Sequence, residues 1–372
     1  MMHARPRLAK LTIEGFKSIK ALSGFTPGPL TLLIGANGAG KSNFISFFRL
    51  LSHIMSGNLQ GHLTQTGKAH SWLHDGPAVT PEICAAFEIQ TGKGTNEYEF
   101  GLDYAATDRL YFQYERFRYL PLGGVPGTRV SLGQGHEESL LRSRAAKQER
   151  TPAAIYAMLQ KFVVFQFHNT SFTSRMRQAW SVDDARWLKE DAGNLAAVLH
   201  RLKGNADTAA YYQRIVDTLR QSLPFFDDFQ LEPEDGNVLL SWRERGTDCI
   251  FSAHQASDGM LRFMALVTLL LQPAEALPDL LILDEPELGL HPHAITTIAG
   301  LIKAASQSIQ VIVATQSAML LDAFEPEDVV VVERHARESA FHRLESAELQ
   351  SWLERYSLGE LWDKNVLGGR PA

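Results

Sequence analysis

Eight consecutive residues, Gly35-Ala36-Asn37-Gly38-Ala39-Gly40-Lys41-Ser42, have the types and spacing of a loop built to hold an anion. The run fits G-x-x-x-x-G-K-[ST] in full, follows the strand-like "LTLLI" and precedes a helical pattern. Glycines let the backbone curl until successive N–H groups converge on one anion, and the helix N-terminus behind them adds positive potential. Lys41 then reaches the β- and γ-phosphates of a nucleotide, and the Ser42 hydroxyl can ligate Mg²⁺. Gly35, Asn37, Gly38, Gly40, Lys41 and Ser42 are the expected phosphate contacts, with Asn43 beside them. A glycine turn that only joins a strand to a helix leaves the Lys-Ser pair unexplained.

A second segment, "LLILDEPELGLHP", sets four apolar residues (Leu280 to Leu283) before Asp284 and Glu285. A carboxylate at the end of a buried strand suits a magnesium shell, the role expected of Asp284. Glu285 is the neighbouring candidate to orient and partly deprotonate an attacking water. Alone, the pair reads equally as a strand end with solvated acids; beside the phosphate loop it makes ATP hydrolysis, with ATP and Mg²⁺, the leading reading. A third segment, "QASDGMLRF" (Gln255 to Phe263), opens another helix with small residues. Its N–H groups favour an anion, although Ser and Asp are also ordinary helix caps.

These residues must be positioned by a sizeable scaffold. The chain has 372 residues, 45% of them hydrophobic, enough for one large domain or a core with an inserted lobe. Lys and Arg number 36 against 42 Asp and Glu, a net charge of −6. That balance argues against a constitutively basic nucleic-acid coat and leaves room for a local basic patch. The two cysteines, Cys84 and Cys249, form no paired motif, so neither a disulfide framework nor a zinc site is expected, and a reducing cytoplasm is the expected compartment. The polar start "MMHARPRLAK" does not read as a leader, and the apolar run Phe263 to Leu271 is too short to span a bilayer.

The strand-like "LAKLTIEGF" and "LTLLIGA" flank a turn at "TPGP", and a helix is predicted from Ser42 to about Met55 with Phe44, Phe47, Phe48 and Leu51 on one stripe. Residues 57–81 read as loop. An antiparallel meander follows, carried by Ile83, Phe87 and Ile89, then Tyr98, Phe100, Leu102 and Tyr104, then Leu110, Phe112 and Tyr114. Its phase slips at Glu115–Arg116, the mark of a bulge. "KFVVFQF" (Lys161 to Phe167) reads as a buried strand. Helical patterns follow at 195–202 and 212–219, then a hairpin across Glu232 to Asn237. Strand–helix alternation at the end predicts a parallel sheet wrapped by helices. The expected organisation is one discontinuous domain over 1–372: a nucleotide-binding core from 1–56 and 246–345, a β-rich lobe with loops at 57–165, a mainly helical insertion at 166–245 and a tail at 346–372.

Five segments in order, "LTIEGFKSI", "GANGAGKSN", "SDGMLRFMAL", "LLILDEPELGLHP" and "VIVATQSAMLLDAF", resemble the ABC-type ATPases of the RecF, SMC and OLD group. The likeness is nearest to short bacterial AAA-domain, OLD-like ATPases without a nuclease domain, whose tails "YSLGELWDKNVLGG" is similar to. It covers both ends of the chain well and residues 57–245 loosely. The resemblance implies an α/β P-loop NTPase fold, an ABC-type ATPase head with an antiparallel β-lobe and an inserted helical lobe, working as a homodimer closed through ATP. It implies that Ser257 offers its hydroxyl and Gly259 its N–H to the partner's γ-phosphate. Gln166 is a match for a magnesium-sensing glutamine, or a structural residue in a strand. Lys17 and Ser18 match a segment near the nucleotide, or simply turn the chain. His168 reads as a satisfied polar residue and His291 as a helix-entry residue.

One departure concerns Gln316, which stands where many relatives carry a switch histidine. An amide can hydrogen-bond a γ-phosphate but cannot change charge near neutral pH. For partners, the resemblance offers two readings. In one, the dimer acts on DNA in repair or phage defence through "SRMR" (Ser174 to Arg177) and "RSRAAKQER" (Arg142 to Arg150), which otherwise are solvated surface. In the other, the dimer is a nucleotide-controlled scaffold for a separate effector, a nuclease or toxin, since too few residues follow Glu285 for a nuclease domain of its own. No membrane partner is expected. A transporter subunit fits the motifs poorly, long coiled coils are excluded by the missing heptads, and a hexameric remodeller finds no support in the Ser-Asp-Gly element.

Overall fold

The computed structural model describes residues 5–105 and 108–369. Strands β1 (Arg7–Phe16) and β2 (Ile19–Phe25) form a hairpin, and β3 (Leu30–Ile34) leads through the glycine loop into α1 (Lys41–Ser56) and the short α2 (Leu59–Gln65). The meander is β4 (Glu82–Thr91), β5 (Gly94–Ala105), β6 (Arg109–Pro121) and β7 (Val130–Gly133), followed by α3 (Leu141–Ala146), α4 (Arg150–Leu159) and β8 (Phe162–Phe165). After β9 (Trp180–Ser181) come α5 (Leu195–Gly204), α6 (Ala209–Ser222), β10 (Phe226–Phe229), β11 (Asn237–Val238), β12 (Ser241–Glu244) and β13 (Ile250–Ser252). The chain ends with α7 (Asp258–Leu271), β14 (Leu280–Asp284), α8 (Pro292–Ser306), β15 (Gln310–Thr315), α9 (Ala318–Leu321), β16 (Val329–His335), β17 (Glu338–Arg343), α10 (Ser346–Leu353) and α11 (Leu358–Asp363).

Two six-stranded sheets organise these elements. The core sheet runs β17-β16-β3-β15-β14-β8, parallel except for the β16–β17 pair. Its central strands are buried on both faces, which is why "LTLLI", "LLILD" and "QVIVAT" are unbroken apolar runs rather than alternating ones. Leu33, Ile282 and Ile312 face α1 and the antiparallel sheet; Leu32, Leu283 and Val313 face a second core built with α5 to α8. The antiparallel sheet runs β2-β1-β4-β5-β6-β7. The slip expected at Glu115–Arg116 falls slightly earlier in β6: Gly101 pairs with Tyr114 and Leu102 with Phe112, so Gln113 is the extra residue. It carries Glu115 onto the inner face, fully buried.

The expected boundaries need four corrections. Strands β1 and β2, assigned with residues 1–56 to the core, belong to the antiparallel sheet, because β1 pairs with β4 along seven registered positions from Arg7 to Glu14. Strand β8, grouped with the lobe at 57–165, closes the core sheet beside β14. Residues 57–81 are not all loop: α2 buries Leu59 and Leu63. The insertion at 166–245 is less helical than expected, since only α5 and α6 form there, beside a small sheet of order β10-β12-β13. For β1, β2 and β8 the period was legible but the partner was not, because pairing depends on which distant strand meets the edge.

Candidate active site

Four adjacent parallel strands, β3, β15, β14 and β8, end at one edge of the core sheet: Ile34 is level with Thr315, Ala314 with Asp284, and Leu283 with Phe165. The loops leaving them carry Gly35–Ser42, Gln316, Glu285 and Gln166. Ligand crevices of open parallel sheets lie outside such carboxyl ends. Residues far apart in the chain are thereby brought together.

In the glycine loop, Asn37, Gly38 and Ser42 are exposed, whereas Gly35, Gly40 and Lys41 are buried. Gly40 has φ +122°, and a Cβ there would stand 2.0 Å from Ser339 Oγ, so only glycine fits. Lys41 Nζ donates to the carbonyls of Gly35 and, at 3.1 Å, Ala36. Burial lowers the Lys41 pKa, against the pull of Glu285, Asp284 and Glu287 in the opposite sense, which places that ammonium within the field of all three acids. Asn43 departs from expectation: its amide donates to Ser18 Oγ at 2.7 Å, behind the loop. Ser18 also accepts from Ser339 Oγ at 2.7 Å, so it braces the loop from behind. Lys17 makes the expected turn, with φ +48°, and donates to Ser46 Oγ at 3.0 Å.

The acidic side of the crevice centres on Asp284, which is 8% exposed. Gln166 Nε2 donates to Asp284 Oδ2 at 2.9 Å, and the same nitrogen donates to His168 Nδ1 at 2.7 Å. The opposite ring nitrogen, His168 Nε2, donates to the Asp284 carbonyl at 3.1 Å. Arg49, which donates to Gln166 Oε1, also stands 3.9 Å from Asp284 Oδ2. Because Arg49 can only donate, Gln166 turns its oxygen to Arg49 and its nitrogen to Asp284. As drawn, Gln166 therefore orients the carboxylate rather than aiming an oxygen at a metal. Burial raises the Asp284 pKa despite His168 and Arg49, so this carboxylate is under-compensated. Glu285 has φ +45°, and its Oε1 accepts from Gln316 Nε2 at 2.7 Å. His291 caps α8, accepting from His293 N at 3.4 Å.

Ser257 caps α7, its Oγ accepting from Met260 N at 3.3 Å, and the residue is exposed. Gly259 lies so close to the loop after β14 that a Cβ would stand 2.3 Å from Gly289 O. Among the described residues no hydrogen bond or ion pair joins Ser257–Gly259 to Gly35–Ser42. Arg177, offered above as a DNA contact, is 6% exposed and is corrected. It donates to the carbonyls of Thr170, Ala253 and Ala256 and pairs with Asp258 Oδ1 at 3.0 Å. The cation thus offsets the one acid beside the Ser257 turn. Arg175 pairs with Asp191 at 3.4 Å, Arg144 with Glu149 at 3.0 Å, and Arg142 donates to the Ser56 carbonyl at 2.5 Å, so both basic runs are largely engaged within the chain.

Three residues of this region escaped the sequence reading and a fourth was misread. Arg49 is the lone cation among "FISFFRLL", an anomaly on an apolar helix that could have flagged it. Arg262 donates to the carbonyls of Phe167, His168 and Leu288, coupling α7 to the strap carrying Gln166 and to the loop after Glu285. Glu287 accepts from Thr315 Oγ1 at 2.6 Å and from Gln316 N at 3.3 Å. Arg177 was misread as surface. For the last three, no local pattern reveals the partner.

Magnesium is tested by the donors present. The Ser42 hydroxyl and the Asp284 carboxylate are hard oxygen donors, whereas the Gln166 oxygen is taken by Arg49; magnesium takes one or two protein oxygens while keeping waters. An under-compensated carboxylate and an exposed hydroxyl are donors that suit that ion. No described helix is long and apolar enough to cross a membrane.

Residues 30–322 match the family model described as "AAA domain, putative AbiEii toxin, Type IV TA system". The fold is similar to an Smc head solved with the C-winged helix domain of ScpA, at TM-score 0.59 and 16% identity over 92% of this chain and 99% of that one. It is likewise similar to an Smc head with an extended coiled coil bound to the C-terminal domain of ScpA derived from Pyrococcus furiosus, at TM-score 0.58 and 15% identity over 94% and 99%. No curated protein matches the sequence. The chain belongs to the AAA-domain family that its model names, and its mixed α/β architecture is that of an ABC-type, SMC-head-like P-loop ATPase.

Proposed function

We propose that this protein hydrolyses ATP to ADP and phosphate in a site completed by a second copy of itself. The observation that carries the reading is the convergence of the glycine loop, Asp284–Glu285, Gln316 and Gln166 at the ends of four neighbouring strands. The N–H groups of Gly38, Gly40 and Lys41 bind and orient the β- and γ-phosphates, with the Lys41 ammonium offsetting their charge. Ser42 and Asp284 would hold Mg²⁺, which would draw charge from the phosphate oxygens. Gln166, held by Arg49, keeps the Asp284 carboxylate in one orientation. Glu285 takes a proton from the attacking water, and Gln316 fixes the Glu285 carboxylate and donates toward the γ-phosphate.

Ser257 and Gly259 make no hydrogen bond with the glycine loop of their own chain, and exposed apolar side chains, Phe225 and the Phe172 that lies against His254, stand around their turn. That supports their presentation to the partner's nucleotide. Lys41→Ala should abolish ATP binding or hydrolysis. Glu285→Gln should keep binding while hydrolysis falls at least about a hundredfold, and should accumulate a closed dimer visible by light scattering. A strictly monomeric protein whose turnover per molecule stays constant on dilution would sink the shared site.

The role we assign is DNA repair or phage defence. A second reading, nucleotide-gated control of a separate nuclease or toxin, is favoured by a specific observation. Arg142, Arg144, Arg175 and Arg177 of the two basic runs are engaged internally, while the family description names a toxin and the similar Smc heads were solved with a ScpA domain. Co-purification of an effector that dissociates on ATP turnover supports the second; salt-sensitive, ATP-dependent duplex binding supports the first.

A further inference from the structure

The tail "YSLGELWDKNVLGG" has no part in the chemistry above, yet both of its ends touch the machinery. Ser357 and Glu360 form a capping box that starts α11. This helix docks on α9, which directly follows Gln316-Ser317: Gly359 N donates to Asp322 Oδ1 at 2.6 Å, and a Cβ on Gly359 would stand 2.6 Å from Ala318 O. The chain then crosses to the phosphate loop. Gly368 and Gly369 have φ +78° and +77°, a conformation L side chains rarely adopt. Gly369 N donates to Glu333 Oε1 at 2.6 Å, and Gly369 O accepts from Ala36 N at 2.8 Å. A Cβ on Gly369 would come 2.8 Å from Val331 Cγ1 and 3.1 Å from the buried Trp362 ring.

We infer that residues 357–369 are a positioning brace between the Gln316 loop and the phosphate loop. Ala36 is the second residue of the loop, and the direction of its N–H sets the plane of the peptide from which the later N–H groups fan out. With Gly369 O in place, that peptide is ordered before nucleotide arrives, so binding bears less of the ordering entropy. Without it, the Ala36 N–H turns to water and affinity falls, while the groups that activate water are untouched. The inference rests on the ATP reading above and adds an element outside every motif that carries it.

The test compares the full chain with Gly369→Ala and with a deletion of residues 368–372. It uses a fluorescent ATP analogue with Mg²⁺, at a temperature where circular dichroism shows all three folded. Both variants should bind about three- to tenfold more weakly, the worth of one hydrogen bond, with kcat at saturation within about twofold. Weaker binding supports the brace whether or not the melting temperature falls. Unchanged affinity in either folded variant overturns it, even if melting shifts, because a purely structural role predicts that pattern. A loss confined to kcat also overturns it. If the unaltered chain binds no ATP analogue, the phosphate-site reading falls and takes the brace with it; normal binding by all three removes the brace alone.

Discussion

Glu115 in the antiparallel sheet and Asp284 at the edge of the parallel one are both buried carboxylates, 0% and 8% exposed, in opposite electrostatic situations. Around Glu115, donors converge from four residues: Tyr98 OH at 2.6 Å, His136 Nε2 at 2.9 Å, Ser139 Oγ at 2.5 Å and Leu140 N at 2.9 Å. Burial pushes its pKa up, but the hydrogen bonds from His136, Ser139, Tyr98 and Leu140 outweigh it and leave the group below the usual carboxylate range. Asp284 receives one side-chain hydrogen bond, from Gln166, and burial wins. A satisfied buried charge staples its surroundings; an under-compensated one at a crevice attracts a cation. A buried carboxylate thus stands fully paired in one sheet and under-compensated at the edge of the other.

That contrast breaks most sharply at Asp284. Asp284→Asn should lower Mg²⁺-dependent hydrolysis at least about a hundredfold while leaving folding stability unchanged or raised by about 1 kcal/mol, because it removes a charge that burial disfavours. Phosphate release and urea unfolding check the two halves; marked destabilisation would mean that Asp284 is structural. Glu115→Ala should do the reverse. It orphans a tyrosine, a histidine, a serine and a backbone donor and should cost about 3 kcal/mol, with hydrolysis per folded molecule within about twofold.

The smallest effect concerns a buried base. His62 stacks on His53 at 3.7 Å, and burial, with His53, Lys17 and Arg49 nearby, brings its pKa from 6.5 down to about 4. Between pH 6.5 and 4 the unfolded chain therefore binds more protons than the folded one. Stability falls on acidification through that window and is insensitive to this group above it. His62→Gln should flatten the slope of unfolding midpoint against pH between 4 and 6.5; an unchanged slope would remove His62 as its source.

The phosphate loop and the Asp284–Glu285 strand end were legible because each is a local pattern: glycines at required spacings, or an unbroken apolar run followed by acids. The two-residue periods of the meander were equally plain, including the slip near Glu115, since a bulge leaves its phase in the sequence. Arg177 shows the limit. In "SRMR" nothing separates a surface arginine from one donating to three carbonyls, because those carbonyls lie on segments up to 79 residues away. The boundary at β8 failed for the same reason: "KFVVF" reads as a strand whichever sheet receives it.

By itself, the sequence determined the chemistry available, a glycine-lined phosphate cradle with lysine, serine and a paired carboxylate, since backbone freedom and side-chain type are properties of short segments. Only the tertiary structure decided how that chemistry is assembled. The strand order β3-β15-β14-β8 sets four loops at one edge, and Arg49 turns the Gln166 amide. Such contacts depend on directional pairing between residues distant in the chain, and the geometry of a hydrogen bond is not written in the spacing of the residues that make it.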